Sequence, residues 1–328
     1  MPEVVALGLD HPRGLAFGPD GLLYVAEGGR GGASSTVGRC PQIPPPIGPY
    51  TGGMTARISR IRSDGVRETV VDGLPSSQSS AGSGGAVSGV ADVAFVGDTL
   101  YALVAGAGCS HGLEGTANGV YRIEPSRGPE PLADLGAFRR SLPVARPDPD
   151  DDEYDGTWYG MAVDGTTLYV VEPNHGEVDR VAVDGRVERV VDVSALEGHA
   201  VPTAIASGDG LFVANLGRFP IRAGSSRVLR IAGGAAATWA TGLTAVVGLA
   251  FGPDDRLYAL ELSVPAEPSR PVPGTGRLVR LRDDGLDVVA SGLDLPTGLA
   301  FGPDGSAHVS IRGLGPAGSG AIVRIEVA

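Results

Sequence analysis

The stretch that decides the fold is PRGLAFGPDGLLYVAE, residues 12–27, because the chain uses it again. VGLAFGPDDRLYALE, residues 247–261, and PTGLAFGPDG, residues 296–305, are copies with small changes. In each copy an apolar run leads into Gly-Pro-Asp, which is turn chemistry. Two strand-like runs around such a turn predict a β-hairpin. Its recurrence indicates a repeat architecture.

Two further strand signals follow each hairpin, as residues 56–61 and 68–74 do after the first. These outer strands alternate polar and apolar side chains, whereas the hairpin strands are almost entirely apolar, as expected for inner strands buried on both faces. The second strand occurs six times, at residues 23–25, 100–102, 168–170, 211–213, 257–259 and 307–309. We therefore predict an all-β fold: a six-bladed β-propeller, four antiparallel strands per blade, forming a single domain over residues 1–328.

The sixth unit has only three strands, because the chain ends at Ala328. Residues 3–9 have the pattern of the missing outer strand, and they precede the first unit as residues 288–293 precede the last. We predict that this N-terminal strand pairs in the last blade and closes the ring, which removes open sheet edges. Frequent Gly and Pro predict very little helix.

The composition narrows the possible partners. The formal net charge of −12 argues against a nucleic-acid partner, because phosphate binding needs basic patches. No apolar run approaches the roughly 18 residues that span a membrane, and the first residues do not read as a signal peptide. Cys40 and Cys109 fall in equivalent loops of neighbouring blades, so a disulfide and two free thiols both remain open. A disulfide would indicate an oxidising compartment.

The long connections all lie on one side of the predicted ring. We call this side, which carries the second-to-third-strand loops and the connections between blades, the loop face, and the opposite side the turn face. Scaffold-held loops concentrate binding residues, so we expect a small-molecule, glycan or protein ligand at the channel mouth on the loop face. The alternative is that these loops only cover the channel. They are residues 28–55, 75–89, 105–118, 136–156, 216–225 and 263–275.

Three residues are candidates for catalysis. His175 follows Glu172 on the loop face and is the best-placed general base, and Arg13 would stabilise an anion. The alternative is that His175 is a solvated loop residue. No nucleophile elbow, zinc-binding His-Glu-x-x-His or phosphate loop is present.

The candidates for ligand binding come from repeated positions. The first residues of the inner strands are expected to look into the channel, and the second strands end on the loop face. Carboxylates at those ends suit Ca²⁺ or Mg²⁺, but we favour a structural use, in which they accept backbone N–H bonds, and assign no metal ligand or cofactor. The acidic run 148–155 is interpreted as a solvated charge cluster. The positions are Arg13, Ala91, Asp92, Tyr159, Thr203, Val247 and Thr297 in the channel, Glu27, Glu172, Asn215 and Glu261 at the strand ends, and Trp158, Tyr159 and Phe219 as aromatic candidates.

Over nearly its whole length the chain resembles the ScyD/ScyE family of six-bladed propellers. The motifs that carry the resemblance are residues 12–21, 23–27, 50–52, 72–76, 201–203, 217–220, 227–231 and 296–298. The family often has an Asp-Ser-Asn-Pro-Tyr-Gly-like segment where this chain has DGTWYG, residues 155–160, so a role carried by that Asn does not transfer. The resemblance implies the fold and an extracytoplasmic location, secreted or periplasmic, because most members are exported. It implies no reaction, since the family's activity is not established.

A more distant likeness is to the NHL, gluconolactonase/regucalcin and strictosidine synthase propellers. Metal-dependent lactonases of that group place Glu, Asn and Asp at the starts of inner strands, where this chain has Arg13, Thr203 and Thr297. The likeness therefore implies no such metal site. We favour a non-catalytic binding protein. The alternative is a hydrolase or lyase of a secondary metabolite.

Overall fold

The structure is a computed structural model that describes residues 2–124, 127–149, 153–233, 235–264, 270–282 and 285–327. Its strands form six small antiparallel sheets, which are the six predicted blades. In chain order the strands are β1 (Glu3–Leu9), β2 (Pro12–Phe17), β3 (Leu23–Glu27), β4 (Thr51–Ile61), β5 (Arg67–Gln78), β6 (Val87–Ser88), β7 (Val90–Val96), β8 (Thr99–Val104), β9 (Gly119–Glu124), β10 (Gly128–Asp134), β11 (Met161–Asp164), β12 (Thr167–Glu172), β13 (Glu177–Ala182), β14 (Val187–Asp192), β15 (Pro202–Gly208), β16 (Gly210–Asn215), β17 (Ser226–Ala232), β18 (Ala235–Leu243), β19 (Val246–Phe251), β20 (Leu257–Glu261), β21 (Gly276–Arg282), β22 (Gly285–Leu293), β23 (Gly298–Phe301), β24 (Ala307–Ile311) and β25 (Gly320–Ile325).

The ring closes as predicted. The last sheet has the order β1-β25-β24-β23, with Glu3 opposite Arg324 and Leu9 opposite Gly320. Blades two to five are β7–β10, β11–β14, β15–β18 and β19–β22. Because β1 supplies the outer strand of blade six, the two ends of the described chain share one sheet.

Blade one is larger than predicted. Its sheet has five strands, β2 to β6, and the β4–β5 hairpin continues past the expected strand ends, with Thr51 opposite Gln78. The start of the Ser/Gly-rich segment 75–89 is therefore strand rather than loop. The hydroxyl of Ser76 explains part of this, since it donates to Gly28 O at 2.6 Å and accepts from Gly31 N at 2.9 Å. The extended hairpin is thus tied to the loop beside it.

The Gly-Pro-Asp turns are held by their own aspartates. Asp20 accepts from Leu22 N at 3.1 Å and from the Tyr24 hydroxyl at 3.0 Å. In the second copy the Tyr258 hydroxyl donates to Asp254 at 3.2 Å. The repeated Asp and Tyr thus act together: the Asp in the turn accepts a hydrogen bond from the Tyr hydroxyl of the following strand.

The core consists of six apolar clusters, each between two neighbouring blades. At four junctions a ring from the second strand of one blade meets the Phe of the next blade's first strand, edge to face. The ring centroids of Tyr24 and Phe95, for example, are 4.9 Å apart. Such pairs add to burial, so the Phe of the repeated motif joins one blade to another. The other three pairs are Phe212–Phe251, Tyr258–Phe301 and His308–Phe17.

Helix is nearly absent, as predicted. The two α-helices, α1 (Leu135–Ser141) and α2 (Val193–Glu197), follow the outer strands of blades two and three, and each starts at an Asp cap, Asp134 and Asp192. Short 3₁₀ turns occupy Ala81–Ser83 and Cys109–His111. In the part of the chain that the structure describes, we find no helix of the length and apolarity that crossing a bilayer requires.

Candidate functional site

The carboxylates that end the second strands are fully buried and bind backbone. Glu27 accepts from Asp10 N at 2.6 Å, Glu172 from Thr157 N at 2.9 Å and Glu261 from Thr244 N at 2.7 Å. In all three blades the donor lies in the connection that leads to the first strand. A buried carboxylate needs such donors, so these side chains hold the loop face in place.

The amide of Asn215 does the same in blade four. It donates to Ala200 O at 3.0 Å and accepts from Arg227 N at 2.8 Å. Its side chain therefore links the connection that precedes β15 to the start of β17, and both of its polar groups have partners.

In blades one and five the buried carboxylate faces an arginine. Glu27 lies opposite Arg57 in the strand ladder, and their Oε1 and Nε atoms are 3.4 Å apart. Glu261 lies opposite Arg277, whose Nε donates to it at 2.6 Å. The charge taken out of water is matched in both blades, as buried ions require.

Blade three reverses this arrangement. Glu172 lies opposite Glu177 where blades one and five have arginine, and Asp179 is buried on the same strand. Two groups supply the opposing charge. Arg189 donates to Glu177 at 2.7 Å, and His175 contacts Glu172 through its backbone N at 2.6 Å and its Nδ1 at 3.0 Å. We call these five residues the blade-three acid cluster.

The acid cluster shifts the pKa values of its carboxyls. Burial, together with the nearby Glu172 charge, raises the pKa of Glu177 to about 7 against the opposing effect of Arg189. Burial and the Glu177 charge raise the pKa of Asp179 well above its ordinary value. Burial also acts to raise the pKa of Glu172, but His175 and the backbone donors lower it overall. The shared burial of these carboxyls thus raises the pKa of Glu177 and Asp179, and the contacts of Glu172 lower its own.

The central channel is narrow and polar. Its cavity has a volume of ≈ 80 Å³, and five of the six predicted inner-strand positions line it: Ala91, Tyr159, Thr203, Val247 and Thr297. Their polar groups bind backbone of other blades. The hydroxyls of Thr203 and Thr297 donate to Val246 O at 2.6 Å and Pro12 O at 2.7 Å. These side chains join neighbouring inner strands.

Tyr159 crosses the channel. Its hydroxyl belongs to blade three and lies 3.4 Å from Thr297 O in blade six, which is the opposite blade. The Arg13 guanidinium lies 6.0 Å from the Tyr159 ring centre and donates to Val87 O at 2.8 Å. Tyr159 and Arg13 thus narrow the channel that a ligand would have to enter.

Asp92 is the one acid among the described residues that line the channel cavity. It accepts from Met161 N of the next blade at 2.8 Å and from Val93 N at 2.9 Å. Burial raises the pKa of this carboxyl to about 7, although both N–H groups act to lower it. The backbone packs closely here, since a Cβ on Gly14 would lie 1.7 Å from Asp92 Oδ1. The motif's glycine therefore gives room to a neighbouring blade's side chain.

The three predicted catalytic residues separate into two places. Glu172 and His175 are in direct contact inside the blade-three acid cluster, and His175 is 2 % exposed. Arg13 makes its contacts at the channel mouth, and no described contact joins it to the pair. The His175 side chain is buried, which differs from the solvated loop residue considered above.

The aromatic candidates also separate. Trp158 is fully buried between blades two and three. Phe219 is 55 % exposed and borders a hollow of ≈ 340 Å³ on the loop face, which we call the blade-four recess. Its walls are formed by Glu197, His199, Ala200, Asn215, Gly217, Arg218, Phe219, Pro220, Arg222, Ser225 and Arg227.

The loops of blades one to three pack on one another. Cys40 and Cys109 form a disulfide, with Cα atoms 6.2 Å apart, which settles the alternative that the sequence left open. The Tyr50 hydroxyl donates to Glu153 at 2.6 Å, and Ser77 lies 2.8 Å from His111 Nδ1. These long loops thus pack against each other, which is compatible with the alternative that they only cover the channel.

Metal ligation has little support in the described residues. Across the described ranges, no group of three or more His, Cys, Asp or Glu side chains is arranged to hold a metal ion. Three residues of the acidic run, Asp150, Asp151 and Asp152, lie outside those ranges. Glu153 and Asp155 at the end of the run are buried, so the prediction of a solvated charge cluster is wrong for this part of it. The hydroxyls and carboxylates at the repeated positions are bound to backbone, so they do not fit a calcium site at the channel mouth.

Several residues escaped the sequence interpretation, namely Glu177, Asp179, Arg189 and Arg222. For Glu177 a signal existed. The third-strand residue that faces the end of the second strand is Arg57, Arg227 or Arg277 in three other blades. A comparison of the repeats would have shown that blade three has an acid in place of this arginine.

Comparison with known proteins identifies the class of fold. No protein-family model matches the chain, and no curated protein matches it. Solved structures do. A putative oxidoreductase (glucose dehydrogenase) from Thermus thermophilus has a TM-score of 0.58 at 18% identity, with 99% of each chain covered. Regucalcin, a calcium-binding protein from Agrobacterium tumefaciens, has 0.58 at 13%, covering 100% of this chain and 94% of its own.

A putative gluconolactonase gives a TM-score of 0.52 at 14% identity, covering 99% of this chain and 93% of its own. At such identities the likeness shows the fold alone. The chain is a six-bladed β-propeller similar in architecture to the gluconolactonase and regucalcin propellers.

Proposed function

We propose that this protein is a binding propeller that takes a small organic ligand in the blade-four recess of its loop face. One observation carries the proposal, the size of the two loop-face hollows. The recess measures ≈ 340 Å³ and the channel cavity ≈ 80 Å³. Ligand pockets usually occupy about 300–1,000 Å³, so of these two hollows the recess is the one that is large enough. A glycan or a protein segment is the other kind of ligand expected from the sequence.

The occupied hydrogen-bonding groups of the channel support this location. Thr203, Thr297 and Asp92 bind backbone of neighbouring blades, and Tyr159 reaches the opposite one. A ligand there would have to displace these bonds, each worth about 0.5–1.5 kcal/mol. In the recess Phe219 is exposed instead.

The enzyme alternative, a hydrolase or lyase of a secondary metabolite, stays a prediction. The Glu172–His175 pair is the one contact that favours it, because a carboxylate can orient a basic imidazole. The pair is buried away from Arg13, so no described group is placed to hold a substrate against it. The glucose dehydrogenase and gluconolactonase described above add no residue to this hypothesis.

The location outside the cytoplasm is also part of the proposal. The Cys40–Cys109 disulfide supports it, because such bonds persist mainly in oxidising compartments. The likeness to exported ScyD/ScyE propellers points the same way and itself stays a prediction.

Two tryptophan substitutions test the site. Ser225 and Ser83 are exposed loop-face serines whose hydroxyls donate to loop carbonyls, but only Ser225 borders the recess. A fragment library is screened by protein-observed NMR against the wild type, Ser225→Trp and Ser83→Trp. We expect Ser225→Trp to fill the recess and abolish binding, and Ser83→Trp to leave it unchanged.

Fragments that bind Ser225→Trp as well as wild type would contradict the proposal. The shifted resonances would then show where they bind. One competing location is a turn-face hollow of ≈ 500 Å³ beside His308 and Phe17.

A further inference from the structure

The blade-four recess is rich in arginine. Arg218 is paired with Asp148 at 2.9 Å, and Arg227 with Glu197 at 2.7 Å. Arg222 is exposed and has no ion-pair partner among the described residues. The recess thus has one guanidinium whose charge is available to a ligand.

This positive charge stands out against the rest of the molecule. The chain carries a formal net charge of −12, so an anion approaching most of its surface is repelled. A guanidinium presents a planar set of donors that matches a carboxylate in two parallel bonds. Arg222 is therefore suited to fix the anionic end of a ligand.

The recess also has an apolar element. Phe219 is exposed at the rim, and a crevice of ≈ 10 Å³ between blades three and four shares Ala200 and Asn215 with the recess. An exposed aromatic ring offers a face on which a flat, apolar body can stack. A ligand that uses both groups needs an anionic end for Arg222 and an apolar body for Phe219.

We propose that the blade-four recess binds aromatic carboxylates, with the carboxylate on Arg222 and the ring against Phe219. This inference rests on the proposed function, since it names the class of ligand for that site. The carboxylate oxygens accept hydrogen bonds from the guanidinium, while the ring replaces water on the Phe219 face.

Three probes test the inference by isothermal titration calorimetry: 2-naphthoate, the neutral 2-naphthamide and inorganic phosphate. We expect 2-naphthoate to bind about tenfold or more tighter than the amide, because a hydrogen bond to a charged group is worth that factor. Arg222→Gln removes this difference and leaves amide binding unchanged. Phe219→Ala weakens both aromatic probes and leaves phosphate unaffected.

Arg186→Gln is the matched control, because Arg186 is an exposed arginine on the turn face with only a local partner, Asp184. It leaves all three affinities unchanged. Equal affinity for 2-naphthoate and 2-naphthamide, or no effect of Arg222→Gln on that difference, overturns the inference about the ligand class. The proposed function still stands in that case if Ser225→Trp blocks fragment binding. Phosphate binding as tightly as 2-naphthoate also overturns it, since the ring then contributes nothing. Fragment binding that Ser225→Trp does not block removes both.

Discussion

Blades one and three pair their second and third strands in the same register but carry different charges there. At one ladder position, a buried glutamate at the end of the second strand faces Arg57 in blade one and Glu177 in blade three. Two residues further along, blade one has Ser59 and blade three has Asp179. A repeated fold therefore fixes where a carboxylate is buried, but each blade provides its charge partner separately.

The stability of blade three should therefore depend on pH. Glu172, Glu177 and Asp179 face one guanidinium and one imidazole, from Arg189 and His175. Burial raises the pKa of Glu177 and of Asp179. A carboxyl with a raised pKa in the folded state favours folding at low pH, and this contribution is lost as the pH rises toward the folded pKa. Blade three should therefore weaken between about pH 4 and pH 8.

The largest effect is expected from removing the one arginine of the acid cluster. Arg189→Met leaves Glu177 without its cation, and breaking a buried ion pair costs about 3–5 kcal/mol. The loss should be smaller at pH 5 than at pH 8, because a protonated Glu177 needs no cation. Urea unfolding at both pH values measures it.

Arg180→Met is the control within the same blade, because the Arg180–Glu188 pair is exposed. It should cost less than about 1 kcal/mol at either pH. If both variants lose the same free energy of unfolding, the acid cluster is hydrated. The difference in charge between blades one and three then does not affect stability.

A second effect, of opposite sign, is expected from Asp179→Asn. Neither oxygen of Asp179 has a hydrogen-bond partner among the described residues. Removing its charge should stabilise the protein at pH 8 by about 1.4 kcal/mol for each pH unit by which the fold raises that pKa. The gain should vanish below about pH 3, where the carboxyl is mostly protonated in both states. Melting temperatures across this range measure it.

Asp209→Asn is the comparison for that experiment, since Asp209 is exposed and its partner Arg230 is at the surface. No stabilisation that grows with pH is expected there. A similar pH trend in both variants would trace the effect to overall charge rather than to the acid cluster.

The smallest effect concerns the matched blade. Ser59 is fully buried and donates to Glu27, so Ser59→Ala should cost about 1 kcal/mol, the usual worth of such a bond. Ser291→Ala, at an exposed strand position, should cost almost nothing. If Ser59→Ala also costs nothing, Arg57 and the Asp10 N–H hold Glu27 without the hydroxyl. Urea unfolding at pH 7 decides between them.

The fold could be predicted because its determinants are local and repeated. The Gly-Pro-Asp turn, the apolar runs and the motif's Phe each act within a few residues of sequence, and the pattern of residues 3–9 identified β1. The extension of the β4–β5 hairpin could not be predicted, because it depends on Ser76 binding a separate loop.

The candidate sites were less predictable, because side-chain partners come from distant parts of the chain. Thr297 resembles a ligand-binding residue in sequence and binds Pro12 O, almost a whole chain length away. Phe219 and Arg222 border a recess only because Glu197, at the end of α2, and Asn215, at the end of β16, complete its walls. The sequence predicts which candidate residues lie on the loop face. It does not predict which of their side chains are buried or which groups they bind.

The six apolar clusters also determine how the molecule comes apart. In a linear repeat array an end unit has one neighbour and can fray alone. Here each blade packs on two, since β1 joins blade six to the cluster shared with blade one. Detaching any blade exposes two apolar surfaces at once, so denaturation should proceed as one cooperative transition, with no stable five-bladed intermediate.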